Sequence, residues 1–263
     1  MSLAHYNEQL RHTTGSKIFW LNQINPEEIG LVVDFGCADG HILKTIRPLL
    51  PEDTLLVGID KDPKQIAAAA QHFVDGDHFS TDWEYADHFL NDMPPGKKSI
   101  LVLSSVIHEI GEEFPCWWKE EVESRRFDYV AIRDMAAPEA SSGYFLFPSL
   151  VPKLPTWAET EAFRATINRY HPYEGNTLRA QLHGLLKAVH AGTDFVKREH
   201  AEHYFRWSAG ELWTIAGVGA GRLFRLKTLD ATTTNFFREW CAARGIFLPS
   251  YATTHVEMLL ARR

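Results

Sequence analysis

Four short runs constrain this chain more than any other feature: residues 30–35 (GLVVDF), 54–60 (TLLVGID), 99–104 (SILVLS) and 129–134 (YVAIRD). Each is nearly continuous in apolar, largely Val, Ile and Leu residues instead of alternating with polar ones, the pattern of strands covered on both faces. Residues 40–50 and 63–73 between them read as helices, the second opened by Asp62 as cap and Pro63 in the first turn. Strand and helix in this rhythm predict βαβ units feeding a parallel sheet. A weaker strand falls at residues 78–83.

After Asp134 the rhythm breaks. Residues 135–207 begin with a connection containing Pro and Ser and continue with two expected helices at 158–170 and 176–191. The α/β pattern then returns, with a helix at 208–217, a strand at 222–229, a short helix at 235–243 and a closing strand at 255–261. The economical division is an α/β core of residues 1–134 and 208–263, with an N-terminal helix near 4–24, interrupted by a helical insert, 135–207.

Composition narrows the function classes. The 263 residues are 45% hydrophobic, enough to bury a core, and 27 Lys and Arg stand against 34 Asp and Glu, a formal charge of -7. No global positive field therefore draws the chain to phosphate backbones or anionic lipid. The insert has eight basic and seven acidic residues, so the acidity belongs to the core. No run of about 18 apolar residues occurs and the first residues are polar, so neither a membrane span nor a signal peptide is expected, and a cytoplasmic location is. Cys37, Cys116 and Cys241 are too few and too scattered for a disulfide framework or a paired-cysteine zinc site, and read as reduced thiols.

The chemistry begins at Val32-Val33-Asp34-Phe35-Gly36-Cys37-Ala38-Asp39-Gly40-His41, a strand entering a turn of spacing Asp-x-Gly-x-x-x-Gly and then a helix. Glycines there allow positive φ and close backbone approach to a ligand, and the helix start presents free N–H groups. The Gly-x-Gly-x-x-Gly spacing of dinucleotide sites is absent. Asp34 ends the first strand. Asp60 ends the second, where a carboxylate can accept hydrogen bonds from both hydroxyls of a ribose.

These residues, with the closing segments SAGELWTIAGVGAG, RLFRLKTL and HVEMLLA, resemble the class I S-adenosylmethionine-dependent methyltransferases. The resemblance spans nearly the whole chain outside the insert. It implies a Rossmann-like seven-stranded, mainly parallel sheet with an antiparallel last strand and a helical insert between the fifth strand and the last helix. It also implies S-adenosylmethionine as cofactor. Asp34, Gly36, Cys37 and Gly40 would then shape the pocket for the methionine part, Asp60 would hold the ribose and Lys61 would flank the adenine. Asp82 and Trp83 would lie near the adenine edge, and Ser104 and Ser105 would close the floor.

Methyl transfer is an in-line displacement, so a base is needed only where the acceptor is a hydroxyl or a protonated amine. His108 follows the fourth strand, with Glu109 beside it to orient it. Packing under the next helix is the other reading of His108. The Asn-Pro-Pro-Tyr type of motif is absent, which disfavours methylation of a flipped DNA base. Arg133 and Asp134 close the fifth strand and could contact substrate or hold the sheet end together. His108, Glu109, Glu112 and Glu113 could in principle hold magnesium or manganese. An acidic helix start explains them equally, and metal-dependent catechol-type members carry an acid where this chain has Ser104, so no metal is expected.

The insert, rich in aromatic rings and imidazoles, is placed to act as a substrate lid. His203 and Tyr204, with Arg198 and Arg206, are candidates to meet the substrate, and Tyr6, Arg11 and Lys17 near the N-terminus could cover the cofactor. The expected acceptor is a small molecule methylated on oxygen or nitrogen; RNA is the alternative, and a nicotinamide-dependent oxidoreductase using Asp60 on the ribose and a catalytically inactive cofactor-binding subunit are further readings. The acceptor's identity and the oligomeric state stay open.

Overall fold

The computed structural model describes residues 14–71, 73, 77–138, 153–171, 177–191, 202–217, 223–248 and 252–263. Seven strands form one sheet: β1 (Ile29–Phe35), β2 (Leu55–Ile59), β3 (His78–Ser80), β4 (Lys98–Ser104), β5 (Tyr129–Met135), β6 (Phe224–Thr232) and β7 (His255–Arg262). Their order is β3-β2-β1-β4-β5-β7-β6. β1 pairs in parallel with β2 and β4, β2 with β3, and β4 with β5. β7 runs against its neighbours: Arg262 bonds Asp128 near the start of β5, whereas Thr254 bonds Ala136 past its end. The last strand is therefore antiparallel, as expected.

The described helices are α1 (Thr14–Lys17), α2 (His41–Ile46), α3 (Pro63–Ala70), α4 (Glu84–Asn91), α5 (Ile107–Ile110), α6 (Phe114–Trp117), α7 (Trp157–Tyr170), α8 (Leu178–Val189), α9 (Ala209–Ile215) and α10 (Asn235–Ala242). Asp62 caps α3 as the sequence predicts, accepting from the Lys64 N–H at 2.9 Å with Pro63 in the first turn. α6 continues into a single π-helical turn, Trp118–Glu123. Among the described residues no helix is long and apolar enough to cross a membrane.

The chain divides into two compact units. One comprises Ser2–Asp134, Thr214–Asp230 and Glu257–Arg263, and its core joins Trp20, Leu43 and Ile46 to the strand residues Ile29, Val32, Leu56, Ile100 and Leu259. The other comprises Met135–Trp213 and Ala231–Val256, and packs Phe163, Leu182, Leu185, Phe205, Phe237 and Cys241. The helical unit includes residues 208–213 and α10, whose Phe237 and Cys241 bury their side chains in its core.

Candidate active site

In a parallel sheet, ligands collect where the strand order reverses, at the carboxyl ends of the strands. Here that point lies between β1 and β4, since β2 follows β1 to one side and β4 adjoins it on the other. Asp34, Gly36, Ser104 and Ser105 come from the ends of these two strands or the turns that follow them, and His108 from α5 just beyond β4.

The turn after β1 is held in a shape that few residues adopt. Gly36 has φ 79° and a Cβ there would lie 2.8 Å from Val106 Cγ2, so both conformation and space demand glycine. Ala38 at φ 49° and Gly40 at φ 73° repeat the left-handed backbone. Its N–H groups are bound as well: those of Gly36 and Cys37 donate to the Ile59 carbonyl at 2.7 and 3.0 Å. The Ala38 N–H donates to Asp60 Oδ2 at 3.0 Å, while Asp60 Oδ1 accepts from the Asp62 N–H at 2.9 Å. Asp60 is thereby fixed at the loop. Each of its oxygens retains capacity for one more donor, as a vicinal diol would require.

Asp34 is the anomaly of the site. It is 1% exposed, and neither carboxylate oxygen has a hydrogen-bond partner among the described residues. A buried carboxylate without a donor is costly. Burial pushes its carboxyl up to about 7, with the Lys17 ammonium opposing and Asp60 adding to the shift. Lys17, from α1, is itself buried and pushed down to about 8, chiefly by burial and secondly by the Arg133 guanidinium, against the carboxylates of Asp34, Asp134 and Asp39. Ser104 Oγ is also buried and unpartnered. A carboxylate, a hydroxyl and an ammonium are the group types that an amino acid moiety carrying both charges would need as partners.

On the fourth and fifth strands the register pairs Ser104 with Arg133, which sets Ser105 beside Asp134. Ser105 sits at φ 60°, a strained backbone for a residue with a Cβ, and its hydroxyl accepts from Arg133 Nη1 at 3.0 Å. Arg133 is 4% exposed and its Nε lacks a partner; burial lowers its pKa, against the carboxylates of Asp134 and Glu257. Asp134 Oδ2 accepts from the N–H groups of Val106 and Ile107 at 2.8 and 2.5 Å, capping the start of α5. Its Oδ1 lies 2.6 Å from Nδ1 of the buried His108. With Asp134 ionised as the acceptor, Nδ1 would carry the proton and Nε2 would be the basic nitrogen.

The group that orients His108 through Nδ1 is thus Asp134 and not Glu109. Glu109 does lie close, with a carboxylate oxygen within 4.8 Å of a ring nitrogen of His108, but its Oε2 is engaged by Lys61 Nζ at 3.0 Å. Lys61 is otherwise out in solvent, its side chain 82% exposed.

The remaining expectations are placed as follows. Asp82 is exposed and does not extend a strand: its Oδ1 accepts from the Ser80 hydroxyl and the Glu84 N–H, both at 3.0 Å, at the start of α4. Trp83 stacks on Phe35 with centroids 5.2 Å apart, and the Arg125 guanidinium lies 4.2 Å from its ring. Cys37 is buried with Sγ toward Gly58, and burial pushes its thiol up. Glu112 and Glu113 are exposed. Tyr204 is 2% exposed in the core of the helical unit under Lys187, whose ammonium is 3.2 Å from the ring centroid, so its ring serves as packing. His203 belongs to a cluster of histidines in that unit. Tyr6, Arg11 and Arg198 lie outside the described residues.

No protein-family model matches the chain. No curated protein matches it in sequence. Among solved structures it is similar to the plantazolicin methyltransferase BamL in complex with a triazolic desmethylPZN analogue and SAH, with TM-score 0.54 and 9% identity over 99% of this chain and 89% of that one. It is similar also to the mycolic acid cyclopropane synthase CmaA1 complexed with SAH and CTAB (TM-score 0.52, 9% identity, 95% and 83% covered). A third is the geranyl diphosphate C-methyltransferase from Streptomyces coelicolor A3(2), in complex with Mg2+, geranyl diphosphate and SAH (TM-score 0.51, 11% identity, 96% and 77% covered). Sheet order, antiparallel last strand and these likenesses agree: the chain has the fold of the class I S-adenosylmethionine-dependent methyltransferases.

Proposed function

We propose that this chain is a methyltransferase that uses S-adenosylmethionine and methylates oxygen or nitrogen of a small-molecule acceptor. The single observation that carries the reading is Asp34, whose two carboxylate oxygens are buried and unpartnered at the sheet's switch point. An α-ammonium group supplies the donors this carboxylate lacks. Lys17 would face the accompanying α-carboxylate and Asp60 the ribose hydroxyls. The similar structures named above hold SAH, the demethylated form of that cofactor.

When bound, the cofactor supplies an electrophilic methyl carbon on a sulfonium. The protein's own contribution is to remove a proton. With Nδ1–H held by Asp134, His108 Nε2 takes the proton of an acceptor hydroxyl or ammonium as its lone pair becomes the nucleophile, and Asp134 stabilises the imidazolium that forms. Arg133 and Ser105, joined by their hydrogen bond, would orient a polar group of the acceptor. The burial of His108 excludes water from that transfer. A net charge of -7 gives nucleic acid no general attraction.

Calorimetry with SAH and NAD side by side tests the cofactor assignment. SAH should bind at one site per chain and NAD should not; preference for NAD would overturn the reading. With an acceptor identified by transfer of labelled methyl, His108→Ala should lower kcat by about 10²–10⁴-fold while SAH affinity stays within about twofold. Unchanged turnover would remove His108 from the reaction.

A further inference from the structure

Within the helical unit, three histidines meet from three separate segments. His171 follows α7, its N–H bonded to the Ile167 carbonyl at 2.9 Å. His183 projects from α8, and His203 precedes the turn at Tyr204 and Phe205. We propose that these three imidazoles bind one divalent first-row transition ion of the zinc class, leaving a fourth coordination position open.

The distances favour a shared centre. One ring nitrogen from each residue can be chosen so that all three lie within 4.8 Å of one another, and His171 Nε2 is 3.0 Å from His183 Nδ1. Three imidazoles radiating tetrahedrally from an ion at about 2.0–2.1 Å would set neighbouring ring centroids about 5.2 Å apart. The observed separations are 5.2 Å for His171 and His183, 5.2 Å for His183 and His203, and 6.0 Å for His171 and His203. Small ring rotations close the remaining difference.

The chemistry points the same way. His183 is fully buried with its Nδ1 facing His171, and the buried Nε2 of His203 has no hydrogen-bond partner among the described residues, so the cluster as it stands leaves a polar atom unsatisfied that an ion would engage. Imidazole ligands suit zinc, copper, iron and nickel over magnesium or calcium. The scaffold is tied behind the ligands: the Arg179 guanidinium of α8 donates to the carbonyls of Phe205 and Arg206, fixing the segment that bears His203. Arg179, Lys187 and Arg206 place positive charge near the cluster, which opposes a dication, so the ion would need an anionic fourth ligand such as hydroxide or a carboxylate to offset it.

The test uses the untagged full-length protein, stripped with chelator and titrated with Zn2+ by calorimetry and with Co2+ by visible absorption. One equivalent should bind, Co2+ should give the intense bands of a four-coordinate site, and the melting temperature should rise by several degrees at excess Zn2+. His183→Gln and His203→Gln should each weaken binding by on the order of 100-fold or more. Far-UV circular dichroism confirms that each variant is folded; if His183→Gln is not, the less buried His203 carries the test alone. Absence of stoichiometric binding by the wild-type protein, or wild-type affinity in a folded variant, would overturn the proposal.

Discussion

A carboxylate buried without a donor is costly to the fold that contains it, and Asp34 is such a group. If its purpose is to meet a ligand's ammonium, stability and binding should move in opposite senses on mutation. Asp34→Asn is expected to lower SAH affinity by about 100-fold, the loss of a buried charge-assisted hydrogen bond. The same change should leave the melting temperature of the ligand-free protein unchanged or higher near pH 8. Differential scanning calorimetry and titration calorimetry on the same preparation check both. The pH dependence has a definite sign. Without ligand, Asp34 is pushed up to about 7, so below that pH a proton competes with the ligand's ammonium. SAH affinity should be level above about pH 7.5 and fall by up to tenfold per unit below about 6.5. The Asn variant should show a flatter profile.

At the scale of elements, β1, β2, β4 and β5 are legible in the sequence because their two-sided burial leaves an unbroken apolar run. β3 is only three residues, paired through His78, Phe79 and Ser80, and its apolar signal is correspondingly faint. Asp82 follows a strand in sequence yet acts as a side-chain acceptor at a helix start, because Ser80 and Glu84 offer it nearby donors. The Asp134–His108 contact could not be read from spacing: 26 residues separate the two, and only the parallel register of β4 and β5 brings them together. Gly36 and Gly40 are legible as turn residues because positive φ favours glycine there, and Asp60 as the residue that follows β2. α7 has a capping box, Thr156 Oγ1 accepting from the Glu159 N–H at 3.1 Å and Glu159 Oε2 from the Thr156 N–H at 3.3 Å. Thr156→Ala should therefore cost about 1 kcal/mol, measurable by urea denaturation.

For the whole molecule, composition excludes a general affinity for nucleic acid, and periodicity locates the sheet and the helix at 235–243, but neither shows what α10 packs against. Its apolar residues Phe237 and Cys241 fit a helix covering the sheet as well as one packing with other helices, and their burial with Leu182 and Phe205 decides the matter. Because each unit has its own core, the two ligands should be distinguishable by hydrogen exchange. SAH is expected to slow exchange first in peptides covering residues 29–40, 55–62 and 98–110. Zn2+ should do so in 157–171, 178–191 and 202–206. Protection by SAH that bypassed the β1 and β4 ends would contradict the placement of the site.

The most direct test of the account is a crystal structure with SAH bound. The predicted result has its α-ammonium within about 3 Å of Asp34, hydrogen-bonded to the oxygens that now lack a partner, and the ribose hydroxyls on Asp60. SAH lodged elsewhere, or in this crevice with Asp34 turned away from it, would contradict it.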